Sequence, residues 1–204
     1  MRPFNVLTAV AAPLELANVD TDKIVPARYL RKIRSAAAGY DPYLFFDLRF
    51  GAQGEERPEF VLNQPAYRDA GILVAGANFG CGSSREGAVY ALLDSGIRAV
   101  IAPSFGDIHY ANEIQNGMLP VILPDDTCAE LRKQLRASPG AQLTIDLAEQ
   151  TVLDTLGARH TFAIDAVYRQ RLLQGLDEVG LVLQHVGEIE AFEKARAQRY
   201  PWLA

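Results

Sequence analysis

Hydrophobic and polar positions change period several times along this chain, and the changes mark its elements. Phe4, Val6 and Thr8 alternate, which predicts a first strand over residues 4–10. The apolar run Val6–Leu14 follows Arg2 as a weak secretory leader would, but Thr8, Pro13 and the lone basic residue ahead of it favour the strand. Asn18-Val19-Asp20-Thr21-Asp22 is a polar knot whose short side chains can bond the backbone two residues on, and Lys23-Ile24-Val25-Pro26 follows it. Residues 35–58 carry several Gly and Pro and little regular pattern. They read as a long loop with a short helical or aromatic piece around Tyr43–Phe50.

The middle of the chain is more regular. Ile72-Leu73-Val74-Ala75 is a continuous apolar run of strand length, Gly76 to Gly82 is a glycine-rich turn, and a helix is expected from Ser83 onward. Ala88, Val89, Leu92 and Leu93 fall on one face of that helix, and Gly96 ends it. Ala99–Ala102 is a second buried strand, so the unit is β-loop-α-β and its strands should be parallel. Ser104 is placed to cap a helix near Phe105–Asn116, Val121–Leu123 reads as a third strand, and Asp125 or Asp126 as the cap of a helix through Arg136. Leu143–Leu147, Thr151–Leu153 and His160–Ile164 form an antiparallel meander. Asp165 caps a helix to Gln174, a short helix lies near Asp177–Gln184, and a charged helix runs from about Gly187 to Arg199. The whole predicts one α/β domain over residues 1–204. It has a mixed sheet with flanking helices, a core at about 5–185 and a helical tail at about 187–204.

Composition narrows the function. With 49% apolar and 22% charged residues in 204, the chain has material for a core and is not a disordered composition. A net charge of −5 argues against a nucleic-acid partner, though an acidic whole can still hold a basic pocket for an anion. The two cysteines, Cys81 and Cys128, are too few to ligate an iron–sulfur cluster and are expected as free thiols in a reducing, cytoplasmic setting. His109, His160 and His185 lie far apart without ligand spacing, so no metal site is expected in this chain. No run of apolar residues is long enough for a membrane span.

The segment that carries chemistry is Asn78-Phe79-Gly80-Cys81-Gly82-Ser83-Ser84-Arg85-Glu86, between the buried strand and the helix. Gly80 and Gly82 allow positive φ and close approach of the backbone to a ligand. The helix start favours anions, and Arg85 offers a planar fork that suits a carboxylate or phosphate. Ser83 and Glu86 also have capping-box spacing, so the serine has a plain reading as a cap. That reading leaves the glycines around Cys81, and Ser84 and Arg85 after it, unexplained. No Lys-Ser/Thr pair follows the glycines, which excludes a P-loop. A serine acts as a base only where dipoles, an arginine and a nearby metal lower its pKa, and with no metal ligands here the metal must come from a partner.

These residues resemble the G-x-G-S-S-R-E-H-A segment of the aconitase superfamily's swivelling domain. Asn18–Asp22 with Ile24 and Pro26 resembles the N-V-D-T-D-x-I-x-P segment of its free-standing small subunits. Ile101–Ile108, Asn116-Gly117-x-Leu119-Pro120 and Gly175-Leu176-Asp177-x-x-Gly180-Leu181-x-Leu183 resemble later landmarks, so the likeness covers about residues 5–195. The nearest pattern is that of the isopropylmalate dehydratase small subunits. The resemblance implies a swivelling β/β/α fold and hydro-lyase activity in leucine biosynthesis. It also implies a large partner subunit with a four-iron, four-sulfur cluster, and a small hydroxy-acid substrate.

By the same resemblance Ser83 is the catalytic base, Ser84 bonds the substrate, and Arg85 binds a carboxylate and supports deprotonated Ser83. Asp22, Gly80 and Gly82 support the site, and Arg31, within Tyr29-Leu30-Arg31-Lys32, helps set substrate choice. Two departures stand out. Gly87 replaces the histidine after S-S-R-E, and Ala36-Ala37-Ala38-Gly39-Tyr40 replaces a T-G-F-G-like stretch. They point to an alternative, a paralogous hydro-lyase for a related di- or tricarboxylic acid. Cys81 reads either as a reactive thiol or as a small residue in a tight turn. His109 reads as a polar or packing residue, and Asp107 as a helix-start acid that could face the pocket. Tyr200-Pro201-Trp202-Leu203 is an apolar tail that docks on a partner or folds back.

Overall fold

The structure, a computed structural model, describes residues 1–31, 34, 38–82 and 85–203. In chain order the elements are β1 (Val6–Pro13), α1 (Thr21–Ile24), α2 (Phe46–Arg49), β2 (Ile72–Val74), α3 (Glu86–Asp94), β3 (Ala99–Ala102), α4 (Asp107–Gln115), β4 (Leu119–Ile122) and α5 (Asp125–Ala137). Then come β5 (Gln142–Asp146), β6 (Thr151–Leu153), β7 (Arg159–Thr161), α6 (Ala166–Gln174), α7 (Glu178–Leu183) and α8 (Val186–Arg199).

The strands form one seven-stranded sheet in the order β4-β3-β2-β1-β5-β6-β7. The β4-to-β1 side is parallel, as the β-loop-α-β unit requires, and the β5–β7 side is the expected antiparallel meander. β1 joins the halves, with Ala11 opposite Ile72 on one side and Val6 opposite Asp146 on the other. Pro120, which has no N–H to give, sits in β4 at the sheet's edge, where a missing ladder donor is tolerated. The mixed α/β architecture with flanking helices is therefore as the sequence led one to expect.

Both faces of the parallel half are covered, which is why its strands are apolar throughout instead of alternating. Leu73 and Val100 face a core with Ala88, Val89, Ala91 and Leu92 of α3. Ile72, Val74, Ala99 and Ile101 face the opposite core with Cys128, Leu131 and Leu135 of α5. Those three recur at helical spacing and make one buried stripe. Arg132 ties α5 to the end of β2 by donating from Nη1 to the Ala75 carbonyl at 2.7 Å. Cys128 is buried and its thiol is pushed up to about 11, first by desolvation; both cysteines are free.

Several helix ends differ from expectation. Asp165 and Asp177 do cap α6 and α7, accepting from Val167 N at 2.8 Å and Gly180 N at 2.7 Å. Gly96 follows α3 with φ 91°, as a helix-ending glycine does. Asp125 and Asp126, however, lie inside the first turn of α5, with Pro124 at its N-cap and no side-chain cap. Ser104 does not cap α4; its Oγ accepts from Asn78 N at 2.9 Å, and Gly106 holds the cap position. Of the capping-box pair, Ser83 lies outside the described residues; α3 begins at Glu86, Arg85 occupies the extended N-cap position, and the Glu86 carboxylate accepts from Asn116 Nδ2 at 2.9 Å. The loop expected over 35–58 contains α2, and its Tyr43 stacks on Tyr29 ahead of it with ring centroids 4.4 Å apart.

Candidate active site

Three connections leave the carboxyl ends of β1, β2 and β3 and are laced together, at the end of a parallel sheet where ligands usually bind. The turn after β2 is the centre strip. On one side Gly76 N bonds Leu16 O, Asn18 N bonds Ala77 O, Gly80 N bonds Val19 O at 2.7 Å and Thr21 N bonds Cys81 O at 3.0 Å. On the other, Phe79 N bonds Ser104 O and Gly106 N bonds Phe79 O at 2.8 Å. The strip can run between two neighbours only because its turns are tight. Asn78, Gly80 and Gly82 have φ of 61°, 69° and 96°. Approach at Gly80 is closer than any side chain allows: a Cβ there would lie 2.5 Å from Cβ of His109 and nearer still to its ring.

The lacing encloses a small pocket of about 170 Å³, lined by Thr21, Gly80, Gly82, Arg85, Gly106, Asp107, Ile108 and His109. Of the expected site residues, Gly80, Gly82 and Arg85 are on its wall. Arg85 makes an ion pair with Asp22, which lies in α1 and is itself exposed. The hydrogen bond from Arg85 holds the Asp22 carboxyl below its usual range, against a smaller opposing effect of desolvation. Asp22 is fixed in turn by accepting from Ala27 N at 3.2 Å, and α1 by Asp20, which caps it through Lys23 N at 2.7 Å. The polar knot at 18–22 thus serves to aim one carboxylate at Arg85. Arg31 is exposed and is not on the pocket wall. Ser83 and Ser84, and with them Lys32, Ala36 and Ala37, lie outside the described residues.

What sequence reading missed is the floor. His109 and Glu113 stand one turn apart on α4 and are buried to 1% and 0% side-chain exposure, with Nε2 and Oε1 3.0 Å apart. Their spacing of four is the signal that would have paired them. Burial pushes the Glu113 carboxyl up, with His109 opposing. Asp107, read as either a pocket or a helix-start acid, is both, standing exposed on the pocket rim in the first turn of α4. A larger, more apolar cavity of about 500 Å³ is lined by Leu14, Leu16, Phe60, Val61, Tyr67 and Arg136 among others, and carries none of the residues singled out for chemistry. Among the described residues no group of three or more His, Cys, Asp or Glu is placed to hold a metal, and no helix is long and apolar enough to cross a membrane.

Known proteins resemble this chain along nearly its whole length. A family model described as Aconitase C-terminal domain matches residues 1–126, and one for the C-terminal domain of the 3-isopropylmalate dehydratase small subunit matches residues 178–204. The 3-isopropylmalate dehydratase small subunit of Gluconacetobacter diazotrophicus is 50% identical over 202 residues, 99% of this chain and 97% of that one. That of Parvibaculum lavamentivorans is 49% identical over 203 residues and 100% of both. The solved 3-isopropylmalate dehydratase structure from Methanocaldococcus jannaschii superposes with a TM-score of 0.63 at 28% identity, covering 92% of this chain and 99% of that one. The chain belongs to the 3-isopropylmalate dehydratase small-subunit family, within the aconitase superfamily.

Proposed function

We propose that this chain is the small subunit of a 3-isopropylmalate dehydratase. With a large iron–sulfur subunit it interconverts 2- and 3-isopropylmalate by dehydration and rehydration, in leucine biosynthesis in the cytoplasm. The observation that carries the reading is Arg85, held by Asp22 on the wall of a pocket at the carboxyl ends of the parallel strands. In this reading Ser83 removes the proton α to a carboxylate, Ser84 bonds the substrate, and Arg85 binds a carboxylate while its charge favours the serine alkoxide. The Asp22 carboxylate keeps the guanidinium in place and the turn at Gly80 and Gly82 presents it, while Arg31 contributes to substrate choice from outside the pocket. The four-iron, four-sulfur cluster of the large subunit supplies the Lewis acid for the departing hydroxyl. Residues 1–204 act as one swivelling domain. Exposed Val179, Val182 and Leu183 on α7, Val186 and Phe192 on α8, and Trp202 beyond it offer the large subunit apolar surface, in a heterodimer or heterotetramer.

Purified small and large subunits should isomerise isopropylmalate only when mixed. Ser83→Ala should abolish turnover in the mixture while leaving assembly intact, and a near wild-type rate for that variant would remove Ser83 from the mechanism. A second reading, a paralogue for a related hydroxy acid, is favoured by Gly87. A Cβ there would meet Leu30 Cδ2 at 2.7 Å, so the glycine lets Leu30, in the stretch tied to substrate choice, settle against α3. Rates of the mixed subunits on methylmalate and tricarboxylic hydroxy acids against isopropylmalate separate the two.

A further inference from the structure

At the other end of α3 from Arg85, a hollow of about 350 Å³ is lined by Arg2, Arg34, Asp94, Arg98, Asn116 and Gly117 among others. It opens where α3 and α4 end and β3 begins. Arg85, Arg132 and Arg171, each at least partly buried, all face a carboxylate, on Asp22, Glu15 and Glu178. Arg98 is partly buried too, but no acid faces it. Its Nη2 donates to the Gly117 carbonyl at 3.3 Å, and its guanidinium lies 5.8 Å from the centre of the Phe4 ring. Burial pushes its pKa down, and the like charge of Arg2 adds to the push. Arg2 in turn makes no side-chain hydrogen bond or ion pair among the described residues. A neutral amide at position 98 would serve the Gly117 carbonyl without setting a second charge beside Arg2. Partly buried charges are normally paired, so the arrangement calls for an anion from outside the chain.

The donors that remain are open ones. Arg98 Nε is sealed by its surroundings and has nothing to give a ligand, but Nη1 makes no bond and is open. Arg34 spends Nε and Nη2 on Asp94 and keeps Nη1. Arg2 is exposed at the rim with its whole fork. Two features oppose an anion. Asp94 is on the wall, and the ends of α3 and α4 each bring about half a negative charge. The closing carbonyls of those helices are already engaged, by the N–H groups of Ser95, Gly96 and Ile97 and of Asn116, Gly117 and Met118. Three guanidiniums outweigh both features and leave the hollow positive, on a chain whose net charge is −5.

We propose that this hollow binds a phosphate group, free or carried on a small molecule, between the forks of Arg2 and Arg98 with Arg34 Nη1 beside them. The two arginines without an acid match the charge of phosphate near neutral pH, about −1.5 to −2, better than that of a single carboxylate. Planar guanidinium forks suit its oxygens. The volume lies at the low end for small-molecule sites, roughly 300–1,000 Å³, and leaves room for a sugar-sized remainder. The site goes beyond the dehydratase reading and does not depend on it.

The test is calorimetric titration of the full chain with inorganic phosphate and with glycerol phosphate, at an ionic strength held near about 0.15 M with chloride. Both should bind saturably. Arg2→Gln, at an exposed position, should weaken both about tenfold to a hundredfold, the loss of one charge-assisted hydrogen bond. Arg98→Met, which keeps the stem and its packing on Phe4, should do the same. Tighter binding of glycerol phosphate assigns the site to a phosphate ester, and equal or weaker binding assigns it to free phosphate. A wild-type chain that binds neither probe overturns the proposal. So does affinity unchanged in Arg2→Gln, a result that counts even if Arg98→Met fails to fold. Should Arg85→Gln remove the binding and Arg2→Gln not, the anion sits in the other pocket and the proposal falls.

Discussion

Gly80→Ala should be among the most damaging single-methyl additions to this chain, and its cost divides into two parts. The first is backbone: at φ 69° an alanine sits in the left-handed region at about 1–2 kcal/mol. The second is collision, since the new methyl would stand 2.5 Å from Cβ of His109 and closer to the ring. The ring has no retreat, with Phe79 at 5.5 Å and Glu113 at 3.0 Å. Overpacking of this kind costs about 1–3 kcal/mol, for a total of about 2–5 kcal/mol. Gly96→Ala is the matched control. Its φ is 91°, but nothing lies within 4 Å of the added Cβ, so only the backbone part remains. Urea unfolding of both variants, read as midpoint shifts at constant m, gives the collision part by difference. Two variants equal within about 0.5 kcal/mol would mean that the ring yields freely, and the picture of His109 as a fixed floor would be wrong.

The buried Asp154 carboxylate gathers bonds from Leu156 N, Ala158 N, Gln134 and His160. Desolvation pushes its pKa up, but those bonds outweigh it and hold the pKa below the ordinary value. A depressed pKa contributes stability that is present above the unfolded carboxylate pKa, about 3.9, and lost as pH falls through the folded value. Asp154→Asn should therefore cost about 1–3 kcal/mol at neutral pH, with the gap from wild type closing in acid unfolding below about pH 4; a gap independent of pH would refute the assignment. Gly87→Ala should gain up to about 1 kcal/mol of helix propensity, largely offset by moving Leu30, while changing the ratio of rates on isopropylmalate and methylmalate. An unchanged ratio would detach Gly87 from substrate choice.

Where local physics governs, the sequence was readable. The apolar runs at 72–75 and 99–102 became β2 and β3, Gly80 and Gly82 took the left-handed turns they allow, and Asp165 found the N–H groups of its own helix. Where a side chain had a distant alternative, local reasoning failed. Ser104 was taken by Asn78 N, and Glu86 by Asn116, thirty residues along the chain. Both losses come from the lacing of loops around the site, which no single segment encodes. The Arg85–Asp22 pair bridges 63 positions, and only the resemblance had placed both residues at one site. His109 and Glu113 had the spacing to be paired, but nothing in a polar helix announces that its polar face is the buried one. The pairing of β1 with β5 was equally silent, because both are ordinary alternating strands until brought side by side.

That pairing has a consequence for how the chain comes off the ribosome. β1 finds its first neighbour some sixty residues later, at Ile72, but its other edge waits for Gln142–Asp146. At about 5–20 residues per second, the interval in which that edge lies bare is several seconds or more, long beside the time a hairpin needs to form. Its unpaired amides meanwhile offer a template to any neighbouring chain. Yield of native protein should accordingly depend on synthesis rate, chaperone supply and temperature more than on equilibrium stability, and early termination between residues 75 and 140 should leave insoluble fragments.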